Sequence, residues 1–156
     1  LEEKVSFLHA DVNDVTRFIK PDSVDVITCN PPYFKLTESS FTNELDAFAI
    51  ARHEIHLTLD QLMKQTSHLL KMKGKAYFVH RPDRLMEILE TMRNNRIAPK
   101  KLQFIYPKQN KEANMILIEG IKDGKEDGFR VLPPLVVYNE EGEYSQKVKD
   151  VLYGEQ

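Results

Sequence analysis

The chemistry-bearing residues of this 156-residue chain converge on one short run, Asn30-Pro31-Pro32-Tyr33. An amide, two rigid turn residues and an aromatic ring stand side by side. Each proline fixes φ near −65° and removes a backbone donor, so the turn holds its carbonyls outward as acceptors. The Asn30 side-chain oxygen and the Pro31 carbonyl can then take both hydrogens of an amino group on a planar ring. Such an amine is a poor nucleophile because its lone pair is delocalised into the ring. Accepting from both hydrogens favours a pyramidal nitrogen and frees the lone pair for in-line attack on a methyl donor. Tyr33, helped by Phe34, supplies a stacking surface of the kind aromatic residues offer to unpaired bases.

The elements around this run place it at a sheet edge. Val24–Cys29 precedes it as an apolar run that reads as a buried parallel strand, and open α/β sheets bind ligands beyond the carboxyl ends of such strands. Before it, Val5–Ala10 reads as a strand and Asp14–Ile19 as a short polar helix. After it comes a long loop, Asn30 to Asn43, of the kind that is usually functional at this edge. A helix is predicted over Glu44–Met72, broken near Leu57–Thr58, where Thr58-Leu59-Asp60-Gln61 forms a capping box. Gly74 opens a strand at Lys75–His80. Pro82 and Asp83 start a helix, Asp83–Asn94, with Leu85, Ile88, Leu89 and Met92 on one face. Strands Lys101–Tyr106 and Asn114–Gly120 close the pattern as an antiparallel pair about a polar turn, Pro107–Ala113. The pattern is α/β, with no internal repeat.

The stretch Asp25-Val26-Ile27-Thr28-Cys29-Asn30-Pro31-Pro32-Tyr33-Phe34 resembles motif IV of the amino-methylating S-adenosylmethionine (SAM) methyltransferases. Val5 to Val12 resembles their motif III strand, which ends in an Asp, here Asp11. Within that superfamily the chain is similar to the bacterial tRNA1(Val) adenine-N6 methyltransferases. These also carry an Ala-Arg helix, here Ala51-Arg52-His53-Glu54, and a Tyr-Ser rich tail, here Tyr138 to Ser145.

The resemblance implies a Rossmann-like class I methyltransferase sheet of order 3-2-1-4-5-7-6. Residues 1–156 would be the carboxyl-terminal portion of its single catalytic domain, from the motif III strand to the final β-hairpin. The first two strands and the Gly-rich loop are not found: the six glycines are isolated and no G-x-G occurs. The first predicted strand would then lack a neighbour, which is costly for its backbone groups. The missing amino-terminal half of the same protein is accordingly an expected partner, and this piece alone is expected neither to bind SAM tightly nor to turn over.

The resemblance also assigns roles. Asn30, Pro31, Pro32 and Tyr33 would form the catalytic turn. Asp11 would accept from the cofactor's adenine amino group, with Val12 on the ring and Asn30 also on the cofactor side. Tyr33, Phe34, Arg52 and Arg81 would meet the substrate. The implied reaction is direct transfer of a methyl group from SAM to the amino group of an adenine in tRNA, driven by positioning. The same tetrapeptide also serves methylation of guanine in ribosomal RNA, of glutamine side chains in proteins and of adenine in DNA. A non-catalytic RNA-binding module is the reading from another class.

Composition sets the frame. Apolar residues at 41% and charged residues at 29% fit a folded domain. No apolar run is long enough to span a membrane. The single cysteine, Cys29, excludes an internal disulfide, suits a reducing cytoplasmic setting and reads as a small core residue. His56, His68 and His80 are not at metal spacing, so no metal is implied. Net charge is −2, yet residues 61–111 hold 12 basic and 3 acidic side chains, against 5 and 11 before them and 5 and 10 after. Arg93, Arg96, Lys100, Lys101, Lys108 and Lys111 make its densest stretch, read as a phosphate-attracting surface. Arg81 and Arg84 are further phosphate candidates, while His53 reads as structural, with a substrate-facing role as the alternative. Asp14 is taken as a helix cap, Glu119 and Lys122 as solvated, and Glu140–Glu143 as a turn.

Overall fold

The computed structural model describes residues 4–31 and 57–154. Among the described residues six strands form one mixed sheet. β1 (Val24–Cys29) leads out to the tetrapeptide, and helix α1 (Leu59–Leu69) returns to β2 (Leu70–His80). Helix α2 (Leu85–Asn94) follows a short 3-10 turn, Pro82–Arg84, and feeds β3 (Ile97–Tyr106). β4 (Met115–Lys122), β5 (Arg130–Val131), β6 (Leu135–Val136) and helix α3 (Gln146–Tyr153) complete the chain. The spatial order is β1-β2-β4-β3-β5, with β6 also on β3. β1 and β2 are parallel, while β4 lies antiparallel between β2 and β3.

Local chemistry explains the elements. Thr58 caps α1 as predicted: its hydroxyl accepts from the Gln61 N–H at 3.2 Å and the Gln61 side chain accepts from the Thr58 N–H at 2.8 Å. Leu59, Leu62, Met63, Thr66 and Leu69 then fall on one buried stripe. The helix stops at Leu69 rather than Met72, because Leu70 is already extended and begins β2. β2 is irregular at its start, with Lys73 at φ 64° and the register against β1 slipping between Val24 and Val26. From Lys75 onward it alternates cleanly, burying Ala76, Phe78 and His80 on one face. α1 and α2 cover that face with Leu62, Met63, Ile88 and Met92 against Phe78, Ile97, Leu102, Ile116 and Ile118.

Three expectations about the amino-terminal stretch change. Val5–Ala10 forms no strand; it is exposed, with Phe7 97% accessible. Strand backbone needs a pairing partner, and among the described residues none flanks this segment. β1 has the predicted bounds and direction but is not buried. Among the described residues it pairs only with β2, and Asp25, Val26 and Thr28 are exposed. The polar helix is a 3-10 turn, Val12–Arg17, capped by Asp11 rather than Asp14, whose carboxylate instead pairs with Arg17 at 3.2 Å.

Candidate nucleic-acid and cofactor edge

The parallel strands fix which end of the sheet carries the chemistry. Asn30 leaves β1 and Arg81 leaves β2 at the same edge, since Cys29 pairs with Phe78. Ile105 pairs with Met115 there, so the turn joining β3 to β4 opens at this edge too. Tyr106 pairs with Val136, which brings the Tyr138–Tyr144 segment alongside. Asn30 is exposed and the following Pro31 is buried, so residue 30 stands at the surface where β1 ends. Pro32, Tyr33, Phe34, Arg52 and His53 lie outside the described residues, as do most of the predicted 30–43 loop, the first part of the 44–72 helix and His56.

Asp11 is exposed, and its Oδ1 accepts from the Asn13 N–H at 2.8 Å and from Asn13 Nδ2 at 3.0 Å. Its carboxylate is therefore held in a fixed direction by the 3-10 turn it starts. Val12, half-buried, begins that turn, and the Asn13 carbonyl accepts from Gln65 Nε2 at 3.4 Å across to α1. Cys29 is half-buried beside the core and burial pushes its thiol pKa up, which fits the packing role. The residues suit part of a nucleoside cofactor: a fixed carboxylate acceptor, and an amide at the sheet's carboxyl edge.

The two arginines after β2 separate. Arg81 is half-exposed and stands 3.5 Å from Asp83. Arg84 does not present itself to phosphate: its side chain is 10% exposed and grips Glu87 through two bonds, Nε at 3.0 Å and Nη2 at 2.7 Å. His80 is buried, with Nδ1 accepting from the Arg81 N–H at 2.8 Å; burial and the nearby Arg84 charge lower its pKa.

The cationic block is largely cancelled by folding. Arg93 pairs with Glu126 at 2.9 Å, Arg96 with Asp123 at 2.8 Å, Lys100 with Asp127 at 3.5 Å and Lys101 with Glu119 at 3.1 Å. These acids come from the end of β4 and the segment after it, which the fold returns to the start of β3. Glu119 and Lys122 are not solvated but buried, at 7% and 6% exposure. Burial pushes the Glu119 carboxyl up, yet hydrogen bonds from Lys101 and Tyr77 outweigh it and the net shift is downward. Lys108 and Lys111 have no ion-pair partner among the described residues, and both lie at the carboxyl edge. Glu140–Glu143 is the expected turn, closed by the Gly142 N–H on the Asn139 carbonyl at 3.2 Å.

Sequence reasoning missed one feature of this edge. The Tyr138 and Tyr144 rings stack at 5.4 Å and 14°. Their spacing across a Gly-containing acidic turn was the available signal. Among the described residues no three His, Cys, Asp or Glu side chains gather as metal ligands, and no helix is long and apolar enough to cross a membrane.

A sheet in which β4 inserts antiparallel between the two strands before it, β2 and β3, while the parallel strands β1 and β2 end at one carboxyl edge, is the 4-5-7-6 portion of the class I methyltransferase sheet, and that is the fold of this chain. A crystal structure of a predicted O-methyltransferase from Agrobacterium tumefaciens matches 94% of this chain and 62% of its own at TM-score 0.70 and 18% identity. A candidate DNA modification methylase of Thermus thermophilus, solved with SAM, matches 90% of this chain and 58% of its own at TM-score 0.53 and 17% identity. In sequence the chain is similar to the tRNA1(Val) (adenine(37)-N6)-methyltransferase of Aliivibrio salmonicida, 31% identical over 112 residues, which is 72% of this chain and 47% of that protein. The resemblance read from motifs thus holds at the level of the whole alignment. The chain spans about half the length of the curated relatives it matches. No family model matches it.

Proposed function

We propose that the protein is a SAM-dependent N-methyltransferase acting on the exocyclic amino group of an adenine in tRNA. The observation that carries this is that the sequence Asn30-Pro31-Pro32-Tyr33 begins at the carboxyl end of β1 in a class I sheet, with Asn30 exposed and Pro31 buried. SAM supplies a methyl group on a positively charged sulfur. Asn30 and the Pro31 carbonyl accept from the amino hydrogens and aim the nitrogen at that methyl; Tyr33 and Phe34 stack on the base. Asp11 and Val12 hold the cofactor's adenine. Arg81 and Arg52 bind phosphate around the target, and Arg84 is withdrawn from that role by Glu87. No strong base is required, because the proton leaves only after the nitrogen has become cationic. Similarity to tRNA1(Val) adenine methyltransferases supports tRNA over a protein or ribosomal RNA substrate.

The test joins residues 1–156 to the amino-terminal half that the resemblance implies and incubates that longer protein with labelled SAM and, in parallel, bulk tRNA from a strain lacking the activity, ribosomal RNA and protein, followed by nucleoside digestion of the RNA. Label in N6-methyladenosine, lost in Asn30→Ala, is the expected result. Label only in protein or ribosomal RNA would move the substrate, and no label in any pool would remove the reading.

A further inference from the structure

The carboxyl edge holds a second feature that the methyl-transfer turn does not use. The β3–β4 turn and the Tyr138 segment enclose a groove of about 450 Å3, lined on one side by Lys108, Asn110 and Lys111 and on the other by Tyr138, Asn139 and Glu140. Its walls are fixed to one another by backbone. The Val137 N–H donates to the Tyr106 carbonyl at 2.8 Å and the Tyr138 N–H to the Pro107 carbonyl at 3.0 Å. The Ser145 hydroxyl donates to the Val136 carbonyl at 2.6 Å and closes the hairpin that stacks Tyr144 behind Tyr138.

We propose that this groove binds an unpaired nucleotide of the RNA substrate, at a distance from the methylated base. The inference rests on the RNA reading above and extends it to a second contact site. Tyr138 is backed by Tyr144, so its ring is held as a platform, and sequence-tolerant stacking on such a ring is how single strands are commonly gripped. The two lysines opposite lack acidic partners among the described residues, unlike the four cations from Arg93 to Lys101, and are available to a phosphate. Asn110 and Asn139 offer amide donors and acceptors to a base edge. Glu140, at the tyrosine side, repels phosphate and accepts from an amino group, so it orients the nucleotide with its backbone toward the lysines. Four strand spacings, β1 to β2 to β4 to β3 to β6, separate Asn30 from this groove. That is roughly 19 Å at about 4.8 Å each, so the two sites engage different nucleotides of one strand.

The experiment titrates the protein with a fluorescent single-stranded RNA of about 12 nucleotides over a range of salt concentrations. Lys108→Gln with Lys111→Gln is expected to weaken binding and to reduce the salt slope by about 1.4, the value for two phosphate contacts on a single strand. Tyr138→Leu is expected to weaken binding roughly 5- to 150-fold, whereas Tyr138→Phe and Tyr138→Trp keep it. Lys125→Gln, at the opposite edge, is the control. A thermal melt accompanies each variant; should Tyr138→Leu fail to fold, the lysine pair decides. Wild-type affinity and salt slope in the lysine pair would overturn the groove. RNA binding with these dependences, together with no methylation of any RNA by the longer protein that includes the amino-terminal half, would leave the groove standing and remove the proposed activity instead.

Discussion

The Lys122 ammonium is buried against the Asp22 carboxylate across a hundred residues of chain, and it also donates to the Leu70 carbonyl at 2.7 Å. One side chain at the end of β4 thereby ties the turn before β1 to the junction of α1 and β2. This fixes the amino ends of the strands whose carboxyl ends carry Asn30 and Arg81. Replacing Lys122 with Met keeps most of the volume and leaves the Leu70 carbonyl without that donor. The expected loss is about 1–3 kcal/mol, read as a lower urea midpoint at unchanged m-value.

The same pair sets an acid limb. The Lys122 hydrogen bond and charge hold the Asp22 carboxyl below its ordinary 3.8. A depressed folded-state pKa favours the ionised, folded form, so the contribution is complete above 3.8 and is lost as pH falls through the depressed value. Asp22→Asn is expected to lower stability near neutrality and to flatten the decline below pH 3.8. A wild-type decline in that window that the variant fully retains would count against the pair.

His80 acts at higher pH. Burial, followed by the Arg84 charge, lowers its pKa from 6.5. The unfolded chain therefore takes up a proton that the folded one resists, and stability falls as pH drops below 6.5. In His80→Gln this slope between neutrality and the carboxylate range is expected to disappear, as measured by urea melts at several pH values.

The charge map yields a prediction that composition alone would invert. Arg93 and Arg96 stand in the most cationic stretch of the sequence but are engaged by Glu126 and Asp123. Arg93→Gln or Arg96→Gln is expected to leave RNA affinity and its salt dependence unchanged, in contrast to loss of Lys108 and Lys111. Filter binding across salt concentrations separates the two sets.

Much of the sheet was legible because its signals are local. The capping box at Thr58, the alternation through Phe78 and the apolar face of Ile88 and Met92 each specify an element from neighbouring residues. The β3–β4 pair followed from two apolar runs about a polar turn. What sequence could not give was anything set by long-range pairing. Lys122 and Glu119 read as solvated because Asp22 and Lys101 are distant in the chain. The cationic block read as a surface patch because its neutralising acids lie 18 to 33 residues further on. The expected strand at Val5–Ala10 had the right composition, yet composition cannot supply a pairing edge. At the candidate site the motif was plain in the sequence, whereas the groove at Tyr138 arises only when β6 docks on β3.

Gly120 offers a sharp test of the core. It lies mid-strand in β4, paired with Ala76 and Pro99, and a methyl group added there would sit 2.4 Å from Met92 Cε and 2.5 Å from Ile97 Cγ2. α2 can rest this closely on the sheet only because position 120 carries no side chain. Gly120→Ala forces Met92 and Ile97 from their positions, at an expected cost of about 1–3 kcal/mol. Met92→Ala alone opens a cavity beneath α2 and costs about 2–5 kcal/mol. The double variant places the new methyl where the methionine had been, so its destabilisation is expected to be smaller than the sum of the two. A coupling of about 0.5 kcal/mol or more in that direction would show that α2 and β4 meet at this point. Additive losses would mean that the helix is seated elsewhere on the sheet.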